Sequence, residues 1–230
     1  MKVVIISDIH GNYDALLGLH EDYDELWVLG DLVNYGPQPK EVVANIMSRA
    51  SIVIRGNHDD AVVSPDTAPP WKPRWRVTAE TTKQFTASVL PQEQKAFLLS
   101  LPLQTVVQRE GTTFFLTHAT PSDPLYGHHS PESEEWTKEL EAAATDVLLV
   151  GHSHVPFMRQ IGKRVVLNPG SIGQPRNGDI RASYAVWQSG RFTLKTHNYE
   201  MDKCIRKIKA LSFPIEVEND LVCILQTGRV

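Results

Sequence analysis

The chain has 230 residues, of which 41% are hydrophobic, and a formal net charge of −4. This length allows one large domain, or two small ones, with a substantial core, and the absence of a broad basic region argues against a dedicated binder of duplex nucleic acid. With only two cysteines, neither a disulfide framework nor a cysteine-ligated zinc site is expected.

The first 63 residues alternate between strand and helix patterns. Short apolar runs bounded by glycine and polar residues predict buried strands, and the segments between them have helical spacing. The predicted elements are strand 2–7, helix 13–20, strand 26–29, helix 39–49 and strand 52–54. Such alternation indicates parallel strands with helices on the faces of the sheet, and therefore an α/β fold.

The pattern changes after residue 63. A proline-rich loop at 64–77 precedes two predicted helices and two predicted strands, and a second loop at 119–131 precedes a helix and a strand. These elements are helices 78–88 and 91–100, strands 103–107 and 113–116, helix 132–144 and strand 146–150. Short turns separate four further strands, which suits antiparallel pairing in a second sheet; they are 157–160, 164–167, 182–188 and 191–197.

The C-terminal pattern is less decisive. Residues 201–209 have helical spacing, whereas 215–226 fit a helix or a strand. We find no internal repeat and no interdomain linker, so residues 1–230 are predicted to form a single domain. The apolar run near the N-terminus is too short for a signal peptide, and no stretch approaches the ~18 apolar residues of a membrane span, so we expect a cytoplasmic protein without a membrane partner. The oligomeric state stays open.

Five apolar runs each end at side chains that bind metals or transfer protons. Loops at the carboxyl ends of strands are where open α/β sheets gather ligands, so residues far apart in sequence can meet at one edge. The residues in these positions are Asp8, His10, Asp31, Asn57, His58, Asp59, His118, His152 and His154. One Asp-x-His triplet alone more often marks a capping aspartate and a surface histidine. Five of the nine histidines would not sort to strand ends by chance, and we predict a site for two metal ions.

The predicted donors are imidazole, carboxylate and amide groups. This set suits two divalent transition-metal ions, with manganese expected and Fe, Zn²⁺, Ni²⁺ or Co²⁺ as alternatives, and it suits Ca²⁺ poorly. Two such ions, two aspartates and a bridging hydroxide leave a charge of about +1, which attracts phosphate. Paired ions can generate hydroxide near neutral pH and clamp both oxygens of an in-line displacement. We therefore expect a small phosphate ester as the substrate.

The motifs resemble, in order, those of the calcineurin-like metallophosphoesterases. They are Asp8-Ile9-His10-Gly11-Asn12, Gly30-Asp31-Leu32-Val33, Gly56-Asn57-His58-Asp59, Thr117-His118-Ala119 and Gly151-His152-Ser153-His154. The resemblance spans residues 3 to about 174. It implies a two-sheet αββα sandwich with mixed sheets and helices on the outer faces, and hydrolysis of phosphate esters by a metal-bridging hydroxide.

The resemblance also implies roles for individual residues. The implied ligands of the first metal are Asp8, His10, Asp31 and His154, and those of the second are Asp31, Asn57, His118 and His152. His58 would donate a proton or a hydrogen bond to the leaving oxygen, with Asp59 orienting its imidazole and favouring the protonated form. The alternative for His58 is a hydrogen-bonding role behind the ligands.

Candidate substrate contacts are less specific. Asn12 either caps the helix that begins at Tyr13 or contacts substrate. Arg55 either binds phosphate or pairs with a buried carboxylate, and Arg176 either faces the mouth of the site or is solvated.

One departure from the family bears on the substrate. The phosphoprotein phosphatases of this superfamily carry an Asp-Arg pair after the second motif, where this chain has Asn34-Tyr35. Loss of an arginine fork that would grip a monoester dianion favours a phosphodiester or nucleotide-type substrate, with Tyr35 beside Arg55 or Arg176 as compensation. A phosphomonoesterase or phosphoprotein phosphatase is the alternative. A non-catalytic scaffold on the same fold would be expected to lack a ligand or the His58 counterpart, and none is missing.

Both long loops are candidates for a cap over the site. The first contains Trp71-Lys72-Pro73-Arg74-Trp75-Arg76. These residues either stack on and grip a nucleotide-like group or pin the loop to the body of the protein. His128 and His129 in the second loop either contact substrate or are inert.

Overall fold

The computed structural model describes residues 1–64, 69–71 and 73–229. In chain order the strands are β1 (Lys2–Ile6), β2 (Glu25–Val28), β3 (Ile52–Val53), β4 (Gln104–Arg109), β5 (Thr112–Thr117), β6 (Val147–Leu149), β7 (Phe157–Ile161), β8 (Arg164–Asn168), β9 (Ala182–Gln188) and β10 (Arg191–His197). The α-helices are α1 (Tyr13–Leu17), α2 (Pro39–Arg49), α3 (Asn57–Val63), α4 (Arg76–Val89), α5 (Gln92–Ser100), α6 (Glu135–Ala143), α7 (Met201–Ala210) and α8 (Ile215–Thr227).

The described strands form two five-stranded mixed sheets. The first has the order β10-β9-β1-β2-β3, in which β1, β2 and β3 are parallel and the β9–β10 hairpin is antiparallel to β1. The second has the order β4-β5-β6-β8-β7, in which β5, β6 and β8 are parallel and the edge strands β4 and β7 are antiparallel. Each sheet thus contains three adjacent parallel strands whose carboxyl ends are available for ligands.

The two sheets pack face to face, because alternate residues of each strand point to opposite faces. Val3 and Ile5 of β1 lie in the core between the sheets with Phe114 of β5 and Trp187 of β9. The other face of β1 joins a core shared with helices α1 and α2. On the far side, Trp136 and neighbouring residues of α6 cover the outer face of the second sheet. This arrangement confirms the predicted αββα sandwich.

The prediction that the four late strands build a second sheet is correct only for β7 and β8. The β9–β10 hairpin instead joins the first sheet beside β1, and the second sheet is completed by β4, β5 and β6. Every residue of β9 from Ala182 to Trp187 is buried. A strand covered on both faces carries no alternation that could reveal which sheet it joins.

Several helix bounds also differ from prediction. Helix α1 ends three residues early, α6 begins at Glu135, and the ambiguous C-terminal segment is the helix α8. Helix α3 was not predicted, because its seven residues are too few to display a helical period. In the first loop, a 3₁₀ turn at Pro73–Trp75 leads into α4, while 65–68 and 72 of the predicted cap lie outside the described residues.

The described helices include none that is both long and apolar enough to cross a membrane.

Candidate metal centre

The predicted ligands converge at one end of the sandwich, each just beyond a strand. Asp8 follows β1, Asp31 follows β2, and Asn57 opens α3 after β3. From the second sheet, His118 follows β5. His152 and His154 both lie in the segment that follows β6. Parallel strands end at the same edge of a sheet, so the topology brings these remote residues together. All of them are buried except His152, which is partly exposed.

One donor group consists of Asp8, His10 and His154. Nε2 of His154 lies 3.2 Å from Oδ1 of Asp8, and Nε2 of His10 lies 3.9 Å from the same oxygen. The two Nε2 atoms are 3.1 Å apart. One atom from each residue therefore faces a common point, as the ligands of a single cation do.

A second donor group consists of Asp31, Asn57, His118 and His152. The amide oxygen of Asn57 lies 3.0 Å from Nε2 of His118 and 3.0 Å from Nδ1 of His152. Atoms of Asp31, His118 and His152 also lie close enough together to hold one cation.

Asp31 lies between the two groups. Its Oδ2 is 3.2 Å from Nε2 of His118 and 3.6 Å from Nε2 of His10. Its other oxygen, Oδ1, accepts the backbone N–H of His58 at 2.8 Å. One carboxylate oxygen thus faces both donor groups while the other fixes the side chain.

The tautomers of three histidines are set by backbone carbonyls. Nδ1 lies 3.1 Å from Val33 O in His10, 2.7 Å from Leu29 O in His118, and 2.6 Å from Gln174 O in His154. Because a carbonyl only accepts, Nδ1 carries a proton in each ring, and in the neutral ring Nε2 presents a lone pair to the centre. A backbone or carboxylate partner on the distal nitrogen is the usual arrangement for metal-binding histidines.

Two further observations show that this donor set fits divalent cations. Asp8 Oδ1 and Asp31 Oδ2 are buried without a hydrogen-bond partner, which is costly for a carboxylate unless a cation is close. In addition, the lone pairs on Nε2 of His10 and His154 face each other, and neither nitrogen has a proton to share.

The acid-base properties of the centre agree with this fit. Burial raises the pKa of Asp8 to about 7. Burial disfavours charge on Asp31 and His118 as well, but their attraction holds the pKa of Asp31 well below its usual range and raises that of His118 to about 9. A protonated imidazole here compensates a buried carboxylate, a task that a metal cation performs more completely.

Backbone strain is concentrated at the centre. Among the described residues, eleven besides glycine have a positive φ, and seven of these belong to the site: Asp8, His10, Asp31, Asn34, Tyr35, His152 and His154. The left-handed region costs a side-chain-bearing residue roughly 1–2 kcal/mol. Strain of this kind persists where the surrounding packing enforces it. The strained turns direct side chains two residues apart, such as Asp8 and His10, toward the centre.

His58 lies beside the first donor group but is held differently from the predicted ligands. Asn34 Nδ2 donates to Nδ1 of His58 at 2.9 Å, so the ring proton of the neutral imidazole is on Nε2. The rings of Tyr35 and Trp71 lie 4.7 Å from the His58 ring, that of Trp71 in a stacked orientation. Burial lowers the pKa of His58 to about 3. A ring nitrogen of His58 also lies close enough to donor atoms of His10 and Asp31 for the three residues to hold one cation.

The predicted contact of Asp59 with His58 was wrong. Both oxygens of the buried Asp59 carboxylate accept backbone N–H groups, from Asp31 and Leu32 at 2.8 Å and from Gly56 at 3.0 Å. Asp59 therefore joins the turn after β2 to the start of α3, and the imidazole of His58 contacts Asn34 instead. Sequence adjacency suggested the pair, but successive residues of a helix point to different sides.

Two of the predicted substrate contacts are committed elsewhere. Asn12 Oδ1 caps α1 by accepting the N–H of Ala15, and its Nδ2 donates to Gly173 O. Arg55 donates to Leu99 O at 3.0 Å and lies 3.5 Å from Asp60 Oδ1. The capping role of Asn12 and the carboxylate pairing of Arg55 are thus the alternatives that the structure favours.

Arg176 and Tyr35 lie near the centre, and the ring of Tyr35 is 4.9 Å from that of His10. The Arg176 guanidinium donates to Gln174 Oε1 at 2.5 Å, and its Nε is buried without a partner. Burial raises the pKa of Tyr35 to about 12 despite that positive neighbour, so the phenol keeps its proton. The positive charge of Arg176 also lowers the pKa of Asp8 and the pKa of His154.

Among the described residues of the long loops, Trp71 and His128 lie near the centre. Arg74 lies over the ring of Trp75 and within 3.6 Å of Asp220 on α8, which anchors this part of the first loop to the body. In the second loop, the ring of His128 lies 6.3 Å from that of His152, whereas His129 pairs with Glu139 of α6.

Sequence reasoning missed three contributions. In the sequence Asn34 is only a departure from a motif, Gly56 is only a member of one, and Gln174 only lies where the resemblance ends. A side chain on Gly56 would collide with Asp31, so the β3–α3 turn can approach this carboxylate only with glycine. The sequence signal that could have identified Asn34 as part of the site is its position three residues after Asp31.

Comparison with known proteins agrees with the fold and the centre. The model of the calcineurin-like phosphoesterase superfamily domain matches residues 1–190, and the chain belongs to this superfamily. It is therefore, by class, a metallophosphoesterase, a hydrolase that acts on phosphoric ester bonds.

Individual relatives span most of the chain. The protein MJ0912 of Methanocaldococcus jannaschii is 29% identical over 221 residues, covering 87% of this chain and 88% of its own. Phosphodiesterase YfcE of Escherichia coli K12 is 29% identical over 201 residues, covering 81% and 86%. A crystal structure of a metallophosphoesterase from Sphaerobacter thermophilus superposes with a TM-score of 0.84 at 28% identity, covering 99% of both chains.

Proposed function

We propose that this protein hydrolyses phosphodiesters, including nucleotide-type esters, with two divalent transition-metal ions, of which manganese is the expected one. The observation that carries the proposal is the position of Asp31, whose Oδ2 faces donor atoms of both groups. A carboxylate shared in this way suits a pair of ions better than a single one.

The ligands would divide as the two donor groups do. Asp8, His10, Asp31 and His154 would hold one ion, and Asp31, Asn57, His118 and His152 the other. When bound, such ions supply Lewis acidity, which activates water near neutral pH and offsets the negative charge of the phosphate.

His58 would act on the leaving group. Water adds to phosphorus as the bond from phosphorus to the leaving oxygen breaks, and the products are a phosphomonoester and an alcohol. The Nε2–H of His58, on a ring that burial keeps neutral, donates a hydrogen bond to the leaving oxygen, and the proton released by the attacking water ends on that oxygen. The hydrogen bond from Asn34 to Nδ1 supports this role, since it leaves the ring proton on Nε2.

Arg176 and Tyr35 would bind the non-bridging oxygens of the phosphate. The guanidinium of Arg176 near the centre, with the neutral phenol of Tyr35, suits the one negative charge of a diester better than a monoester dianion. YfcE, which is a phosphodiesterase by name, aligns with 81% of this chain. Both points favour diesters over the monoester alternative.

We also propose that the chain forms a single domain, because the hairpin β9–β10, late in the chain, completes the sheet that β1 begins. A cytoplasmic location is supported by the two free cysteines, of which Cys223 is exposed.

The experiment is hydrolysis of bis-p-nitrophenyl phosphate by the metal-free protein after addition of Mn²⁺. We expect turnover that a chelator abolishes, that Asp31→Asn lacks, and that the exposed-surface control Asp22→Asn retains. A preference of tenfold or more for p-nitrophenyl phosphate would overturn the diester assignment. Metal binding without turnover of any ester would support a non-catalytic scaffold instead.

A further inference from the structure

The aromatic contact between Trp71 and His58 is not explained by metal binding. The two rings are stacked, with centroids 4.7 Å apart and planes inclined by 25°. Trp71 is only partly buried and comes from the first long loop, so a ring of this size could equally have turned toward solvent. Instead it covers one face of the imidazole that lies beside the donor groups.

Trp71 is itself supported from behind. Its side chain packs against a cluster that contains Tyr35, Ala79 of α4, and residues of the C-terminal helices α7 and α8 such as Ile205 and Leu221. These two helices lie beyond residue 190, where the match to the superfamily domain ends. Part of the support for Trp71 therefore comes from a segment of the chain outside the common domain.

The His58 imidazole needs such support. The second side-chain torsion of histidine has broad energy minima, so the ring plane is easily rotated. The hydrogen bond from Asn34 fixes only Nδ1. A stacked ring on one face and the tilted ring of Tyr35 at 57° define the plane, and the plane determines where the Nε2–H points.

We propose that Trp71 is a positioning residue for His58, held by α7 and α8, and that it aims the His58 Nε2–H at the leaving oxygen. This inference rests on the proposed function and adds to it a role for the first loop and the C-terminal helices. Trp71 acts through His58 and need not touch the reacting atoms.

Hydrolysis of aryl methyl phosphodiesters whose leaving phenols differ in acidity tests the inference. A hydrogen bond to the leaving oxygen matters most when that oxygen is basic, so Trp71→Ala should lower kcat about 10- to 100-fold for the least acidic phenols and far less for p-nitrophenol. KM should change little. Trp71→Phe should restore most of the rate, because it retains a stacking ring, and Trp75→Ala is the matched control from the same loop.

A double-mutant cycle separates positioning from independent effects. His58→Ala should reproduce the leaving-group dependence with a larger loss, and adding Trp71→Ala to it should cost no further activity. Losses that multiply, or a Trp71→Ala loss equal for all leaving groups, would overturn the inference while leaving the proposed function intact. Failure of the unaltered protein to hydrolyse any of these diesters would overturn both.

A spectroscopic measurement on the metal-free protein tests the contact itself. The difference between the fluorescence spectra of the unaltered protein and Trp71→Phe isolates the emission of Trp71. This emission should change when His58→Ala removes the stacked imidazole and should not change with His20→Ala, an exposed histidine. An unchanged Trp71 emission in His58→Ala would contradict the stacked geometry regardless of activity.

Discussion

The Asp59 carboxylate accepts the backbone N–H of Asp31 at 2.8 Å, so one aspartate holds the main chain of another whose side chain faces both donor groups. Asp59 also accepts N–H groups of Leu32 and Gly56. The strained turn after β2, where Asp31 has φ 55°, is thus fixed by hydrogen bonds to a buried charge.

Replacing Asp59 should therefore damage the structure as well as the chemistry. Asp59→Ala leaves several buried N–H groups unsatisfied, and we expect it to lower the free energy of unfolding by about 3 kcal/mol or more. Metal affinity should fall with it. Urea unfolding and calorimetric titration with Mn²⁺ measure both, with Asp22→Asn as the control. A variant of normal stability and normal metal content would contradict this structural role of Asp59.

The two donor groups should respond differently to loss of an aspartate. Asp8→Asn removes a donor from one group only and should reduce bound Mn²⁺ from about two ions to about one. Asp31→Asn alters the oxygen that faces both groups and should weaken both ions. Metal content after gel filtration at limiting Mn²⁺ distinguishes these outcomes. Equal metal loss in the two variants would argue against Asp31 as the shared ligand.

Arg176 and Arg55 form a matched pair, since sequence offered both as phosphate ligands and the structure separates them. Arg176→Ala should lower kcat/KM for bis-p-nitrophenyl phosphate about 10- to 100-fold, because a charge-assisted hydrogen bond to phosphate is lost. Arg55→Ala should lower stability, through loss of its contacts with Asp60 and Leu99, and leave KM nearly unchanged. Steady-state kinetics that show the reverse order would reassign the phosphate contact.

Gly173 should tolerate no side chain. A Cβ there would overlap the carbonyl oxygen of Ile9, in the turn that carries Asp8 and His10. We expect Gly173→Ala to destabilise the protein by about 1–3 kcal/mol and to weaken metal binding, because the turn must shift. Gly190→Ala, where nothing lies within 4 Å, should cost only the strain of its positive φ of 74°. Thermal melts and Mn²⁺ titration of both variants check this.

Stability should also depend on acid through Glu21, remote from the centre. Hydrogen bonds from Lys195, Lys2 and Tyr184 lower the pKa of Glu21 from 4.5 to about 2. A lowered pKa stabilises the folded state above pH 4.5, and this contribution disappears as the pH falls from 4.5 to 2. Glu21→Gln should lower the unfolding free energy by about 1 kcal/mol at pH 7, allowing for solvent screening, and by less at low pH.

The measurement is a series of urea unfolding curves between pH 7 and pH 3, with exposed Glu93→Gln as the control. The difference between the unaltered protein and Glu21→Gln should shrink as the solution becomes acidic. A difference that is constant over this range would show that the carboxylate charge of Glu21 does not stabilise the fold.

The strand pattern and its chemistry could be predicted from local sequence. Apolar runs followed by Asp8, Asp31, Asn57 or His118 indicate buried strands with donors at their carboxyl ends, and parallel strands must place those ends at one edge. The same logic predicted an α/β fold, and the five ordered motifs indicated the superfamily, whose resemblance implied the two-sheet sandwich. These features depend on short-range periodicity and residue type, which a sequence displays directly.

Contacts between remote segments could be known only from the tertiary structure. It decided that the β9–β10 hairpin joins the first sheet through β9 beside β1, and that Asp59 binds backbone while Asn34 contacts His58. It also decided that Arg176 rather than Arg55 lies near the centre. Each of these depends on packing between elements that are far apart in the chain or on the direction in which a turn aims its side chains. Periodicity carries no information about either, because many arrangements bury the same apolar faces.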